Sequence, residues 1–249
     1  MTPSAVTVGI DLVQISRIEA ALRDFPQRFL RRLYTAPEID YCNAAGAGVT
    51  AAAHLAARFA AKEAALKVLQ PHERGIGWRA IEVFRAAGGV PELRLHGAAR
   101  ELADAAGYTD FALSLSHEGD YATAVVIATR SAIGCSAVAR LQPAVAGLPV
   151  PSRSQGEFVA MSERIRAILR EHGRLSQGVE TLTDDQDLYR AGMTSQASVS
   201  VMLALEGAFD IEFPDHMLTR SVFSSIAAMR RAVEELSARE SDTQSAAPL

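Results

Sequence analysis

Between residues 131 and 155 the chain loses every hydrophobic period, and proline, serine, alanine and glycine collect there instead. Before that break, apolar positions switch between helical spacing and strict alternation; after it, they keep helical spacing only. One core cannot serve both patterns. The sequence therefore predicts two domains of different class, at 1–130 and 156–238, joined by a linker over 131–155 and followed by a polar, disordered tail at 239–249. A flexible linker of that length reaches about 25–30 Å.

Composition narrows the class. Apolar residues make up 49% and charged residues 22%, as in soluble globular proteins, and a net charge of -4 gives no electrostatic case for nucleic acid as a partner. Cys42 and Cys135 have neither metal-ligand nor disulfide spacing, so a reduced, cytoplasmic setting is expected. No signal peptide is expected, because Asp11 interrupts the first apolar run. No membrane span is expected either, because Arg140, Pro143, Pro149 and Pro151 break the mildly apolar 131–151 segment.

In the first domain, residues 5–13 read as a buried strand and Gln14 to Phe25 as a helix. Thr35 and Glu38 have capping-box spacing for a short helix through Cys42. Val49 to Leu69 is rich in alanine and predicts a long helix that Gln70-Pro71 ends. Ile81 to Leu95 reads as a hairpin around Gly88-Gly89, Ala98 to Ala106 as a helix, and Phe111 to Thr129 as a second hairpin turning at Glu118-Gly119-Asp120. The class is α+β, with helices set among mainly antiparallel strands.

Within the long helix, Arg58-Phe59-Ala60-Ala61-Lys62-Glu63-Ala64-Ala65-Leu66-Lys67 puts Phe59, Glu63 and Lys67 on one face. That face admits two readings. It is an exposed Glu63–Lys67 ion pair worth ~0.3–0.5 kcal/mol, or one half of a metal and phosphate site. Magnesium is usually held by one or two carboxylates plus substrate phosphate oxygens, and Asp11 at the strand end is the candidate second acid.

Taken in order, Gly9-Ile10-Asp11 with Arg17, then Arg58-Phe59-Ala60-Ala61-Lys62-Glu63-Ala64, then Gly75-Ile76-Gly77, then Leu115-Ser116-His117 resembles the holo-acyl-carrier-protein synthases, the short-type phosphopantetheinyl transferases. The resemblance spans residues 5–129. It implies transfer of 4′-phosphopantetheine from coenzyme A to a carrier serine, with release of adenosine 3′,5′-bisphosphate. It implies that Asp11 and Glu63 bind Mg²⁺, that Lys67 faces the phosphates, and that Arg58 and Lys62 reach the nucleotide phosphates or a neighbouring subunit. Ser116 and His117 are implied at the nucleotide end of coenzyme A, Arg17 at the docked carrier, and Glu63 as candidate base. A homotrimer with active sites between subunits is the implied assembly. For His117 the residues alone also allow a hydrogen-bonded histidine at a hairpin end.

The second domain predicts four helices. Phe158, Met161, Ile165, Ile168 and Leu169 line the first; Ser195 opens the second, Pro214-Asp215 a short third, and Ser221 the last, through Leu236. Asp187-Leu188-Tyr189-Arg190-Ala191-Gly192-Met193-Thr194-Ser195, with Phe209-Asp210-Ile211-Glu212-Phe213-Pro214, resembles acyl or peptidyl carrier proteins, which implies phosphopantetheine attached to Ser195. The residues alone also allow Ser195 a plain N-cap role. Thr194 and Gln196 stand where carriers usually have aspartate and leucine, and Glu206 is the only acid of that helix before Phe209, so Arg17 lacks its expected partner. The carrier resembles those loaded with amino acids more than fatty acid carriers. Three functions follow: a transferase acting on its own or a separate carrier, a carrier on a trimeric scaffold, or a transferase whose fused carrier is inactive.

Overall fold

The structure, a computed structural model, describes residues 6–44, 50–71, 73–86, 88–130 and 155–245. These form two compact units, one ending near Arg130 and the other containing the C-terminal helices. The predicted linker lies outside the described residues apart from its last position, Gln155.

The first unit contains β1 (Val6–Gln14), α1 (Ile15–Asp24), α2 (Pro26–Leu33), α3 (Ala36–Asn43), α4 (Ala51–Leu69), β2 (Ile81–Arg85), β3 (Pro91–Leu95), α5 (Gly97–Ala105), β4 (Tyr108–Glu118) and β5 (Tyr121–Arg130). β5 lies between β1 and β4 in a three-stranded antiparallel sheet, while β2 and β3 pair with each other. Both hairpins fall where the turn chemistry predicts them. The capping box of α3 forms too, with the Thr35 N–H donating to Glu38 Oε2 at 2.8 Å.

α4 is the centre of this unit. Thr50 caps it by accepting from the Ala53 N–H, and Gln70 ends it in the left-handed region. Fifteen of its 19 residues are buried. A helix covered nearly all round needs little amphipathic period, and its alanines let the sheet approach closely. Ala60, Ala61, Ala64 and Ala65 are fully buried, as are Ala124, Val126 and Ala128 of β5. The approach is close at β1, where a side chain on Gly9 would strike the Ala64 carbonyl.

α2 has no counterpart in the sequence reading. Its signal was local: Pro26 at the first turn, and Phe29 and Leu33 four apart, both buried.

The second unit consists of α6 (Gln155–His172), α7 (Ser195–Phe209) and α8 (Ile226–Ser245), with one-turn 3-10 segments at Val179–Thr181 and Asp215–Met217. Ile165, Leu169, Leu188, Met202, Leu203, Phe213, Met229 and Val233 form its core, and the Phe213 and Phe223 rings lie 5.3 Å apart. Two elements differ from the reading. The predicted third helix is a single 3-10 turn, and α8 starts at Ile226 rather than Ser221. α8 then runs to Ser245, through most of the segment read as a disordered tail, with an Arg239–Glu235 ion pair one turn apart at 2.8 Å.

Asp184 joins the ends of this bundle. It takes Arg166 of α6 and Arg230 of α8, while Arg166 also donates to the carbonyls of Val179 and Leu182.

Candidate active site

Because strand side chains alternate between faces, the sheet register sorts the candidate residues. Asp11, Ala124 and Leu115 share one row, and Val13, Ala122 and His117 the next, both on the face covered by α4. Ser116 pairs with Thr123 opposite Leu12, on the outer face. Sequence reasoning grouped Ser116 with His117, but within one chain the pleat turns them to opposite sides of the sheet.

The β1–α4 seam brings Asp11 to the helix. Lys67 Nζ donates to Asp11 Oδ1 at 2.8 Å and to the Ile10 carbonyl at 2.6 Å. Lys67 is half exposed, whereas Glu63, one turn earlier, is buried. The face of Phe59, Glu63 and Lys67 therefore runs from the core outward and is not a surface ion pair. The Glu63 carboxylate accepts from the Trp78 indole N–H at 3.2 Å.

Lys62 does not reach the surface. It is fully buried, and its ammonium donates to Glu38 Oε2 at 2.9 Å, the Trp78 carbonyl at 3.1 Å and the Ile81 carbonyl at 2.5 Å. Three N–H groups meet three acceptors, which leaves nothing for a nucleotide phosphate. Burial lowers its pKa, and Glu38 beside it opposes that shift.

Arg58 leads to a second cluster. Its guanidinium lies 4.3 Å from the centre of the Tyr41 ring, and Arg85 lies 5.2 Å from the same ring. His54 stands 5.4 Å from Tyr41, and His117 stands 6.4 Å from His54. Arg58 Nε and His54 Nδ1 are both buried without a hydrogen-bond partner. The pKa of His54 is lowered by burial first and then by Arg58, His117 and Arg85, the mark of a locally positive field. Sequence reasoning found Arg58 and His117 but missed Tyr41, His54 and Arg85, which come from three separate elements or connections with no common spacing. Trp78 was also missed, though it is the only tryptophan and directly follows Gly75-Ile76-Gly77. Arg17 stands half-buried on α1.

In the second unit the N-cap of α7 is Thr194, whose hydroxyl accepts from the Ala197 N–H at 3.1 Å. Ser195 is the exposed first residue of the helix, so its hydroxyl is not needed as the cap. Gly192 (φ 105°) makes the turn before it, where a side chain would strike Ser176.

Residues 7–126 match the 4′-phosphopantetheinyl transferase superfamily, and residues 163–233 match the phosphopantetheine attachment site family. Holo-acyl-carrier-protein synthase of Herpetosiphon aurantiacus is 43% identical over 49% of this chain and 97% of its own length. The chain belongs to the holo-acyl-carrier-protein synthase family. Its first unit is thus a phosphopantetheinyl transferase and its second a helical carrier domain. Among solved structures, the Helicobacter pylori synthase in complex with coenzyme A is 29% identical over 49% of this chain and 100% of that one, with a TM-score of 0.42. The carrier protein from Agrobacterium tumefaciens, seen with an engineered Bradyrhizobium japonicum glycine–carrier protein ligase and AMP, is 49% identical over 29% of this chain and 97% of that one, with a TM-score of 0.29. Among the described residues, no helix is long and apolar enough to cross a membrane.

Proposed function

We propose that this chain transfers 4′-phosphopantetheine from coenzyme A to Ser195 of its own carrier domain, in a Mg²⁺-dependent reaction that releases adenosine 3′,5′-bisphosphate. The β1–α4 seam carries the reading, because it sets Asp11 beside Lys67, one helical turn from Glu63. Two carboxylates are the hard oxygen donors that Mg²⁺ prefers. The ion, when bound, supplies Lewis-acid stabilisation of the pyrophosphate.

The chain's own groups do the remaining work. Lys67, half exposed, neutralises charge that develops on the leaving nucleotide. Arg58 and Arg85, stacked on Tyr41 with His54 and His117 nearby, are the proposed cationic contacts for the phosphates at the nucleotide end, where the unpaired Arg58 Nε has a donor to give. In the chemical step the Ser195 oxygen bonds to the β-phosphorus of coenzyme A and the bond to the bridging oxygen breaks. The serine proton passes to a base, for which Glu63 is the candidate. Such a reaction needs positioning and charge neutralisation more than covalent help.

Arg17 is the proposed carrier contact, but α7 gives it no acid to meet. Glu206 is buried and accepts from the Phe213 N–H at 3.0 Å. Charge sets mainly on-rate, so recognition of the fused carrier rests on tethering, which raises the local serine concentration to the order of mM. Intact mass after incubation with Mg²⁺ and coenzyme A tests the proposal. Wild type should gain one phosphopantetheine, Ser195→Ala should gain none yet still modify a separate carrier, and Glu63→Gln should modify neither. Wild type that never gains mass rules out self-loading.

The outer face of the sheet supports a multi-subunit assembly, and three copies are proposed. Val8, Ile10 and Leu12 are 59%, 59% and 63% exposed, a contiguous apolar row beside Val125 and Ile127. Faces of this kind mark interaction sites. Light scattering of wild type should give three subunits, and Ile10→Lys with Val8→Lys should give one. A monomeric wild type would refute the assembly.

A further inference from the structure

We infer that Trp78 is a positioning residue for Glu63, and that it reports directly on the metal site; the inference rests on Glu63 being a metal ligand, as proposed above. Two consecutive residues of α4 grip this one residue. Lys62 holds the Trp78 carbonyl at 3.1 Å, and the Trp78 indole N–H holds Glu63 Oε1 at 3.2 Å. Trp78 is itself buried, 9% exposed, in a 3-10 turn (Trp78–Ala80) that leads into β2. Its backbone is therefore fixed from inside by the Lys62–Glu38 pair, while its side chain points that rigidity back at the carboxylate.

A carboxylate offers about four lone-pair sites, and one indole donor uses only one of them. Trp78 therefore fixes one oxygen of the Glu63 carboxylate while taking only one of its lone-pair sites. Groups that orient a metal ligand from behind typically change metal affinity by 10–100-fold when lost. Phenylalanine keeps an aromatic ring and removes the N–H together with part of the indole, so lost packing is read separately as a change in stability.

As the only tryptophan in the chain, Trp78 is its own probe. Mg²⁺ titrated into the full-length protein should give a saturable change in tryptophan emission, absent in Glu63→Gln. Calorimetry should show Trp78→Phe binding Mg²⁺ about 10–100-fold more weakly at a temperature where circular dichroism shows the variant still folded. Unchanged Mg²⁺ affinity in Trp78→Phe overturns the inference. Should that variant fail to fold, wild-type emission decides: no change while calorimetry shows Mg²⁺ saturating also overturns it. Glu63→Gln that binds Mg²⁺ as tightly as wild type would instead remove the metal-ligand reading beneath the inference, so the two failures are distinct.

Discussion

Lys62→Met is expected to destabilise the transferase domain by about 3–5 kcal/mol, the usual cost of removing one partner of a buried ion pair. Lys62 and Glu38 both have fully buried side chains. Methionine fills the space of the aliphatic stem but leaves the Glu38 carboxylate without its counter-charge. It also strands the Trp78 and Ile81 carbonyls that now accept from the ammonium. Glu38 retains only the donors of its capping box and the Val83 N–H, at 3.0 Å. Against a typical domain stability of roughly 5–15 kcal/mol, that loss removes a large part of the margin. Arginine should not rescue, because its planar fork cannot meet three acceptors arranged around a point charge. Urea unfolding followed by Trp78 emission measures the change, and a loss under about 1 kcal/mol would show that the pair is not a structural anchor.

The surroundings of Lys62 mark the boundary between what the sequence carries locally and what only folding creates. The motif from Arg58 to Lys67 was legible as a helix, and the match in order with Asp11 and His117 was legible as a family. Burial was not. Lys62 and Glu63 are neighbours in an alanine-rich helix, and nothing in the local pattern says that one is sealed inside while the other lines a seam. That depends on Glu38 and Trp78, 24 and 16 residues from Lys62. The cluster around Tyr41 was hidden for the same reason, since Tyr41, His54, Arg85 and His117 converge only after folding. That Ser116 and His117 lie on opposite faces of the sheet was legible, because side chains alternate along a strand. In the carrier domain, Thr194 looked like a departure from the family pattern. The structure gives it the N-capping role that aspartate also fills.

Gly9→Ala should impair both folding and transfer, for a reason read from a single contact. A methyl group at Gly9 would lie 2.1 Å from the Ala64 carbonyl oxygen and 3.0 Å from both its carbon and Val68 Cγ2. Two of those three atoms belong to the backbone of α4, which cannot rotate away as a side chain tip can. The strain must be relieved by moving β1 off the helix. Overpacking of this kind costs typically 1–3 kcal/mol and occasionally more. The larger effect should fall on activity, because Asp11 is two residues further along the same strand and meets Lys67 at 2.8 Å. A displacement near 1 Å at a reacting centre costs about 10²-fold in rate. Transfer should therefore fall by about that factor at temperatures where Gly9→Ala is still fully folded by circular dichroism. Gly88→Ala is the control, because a methyl group there meets nothing within 4 Å and should change neither property. If Gly9→Ala transfers phosphopantetheine at the wild-type rate, the close strand–helix approach does not set the position of Asp11, and the glycine serves packing alone.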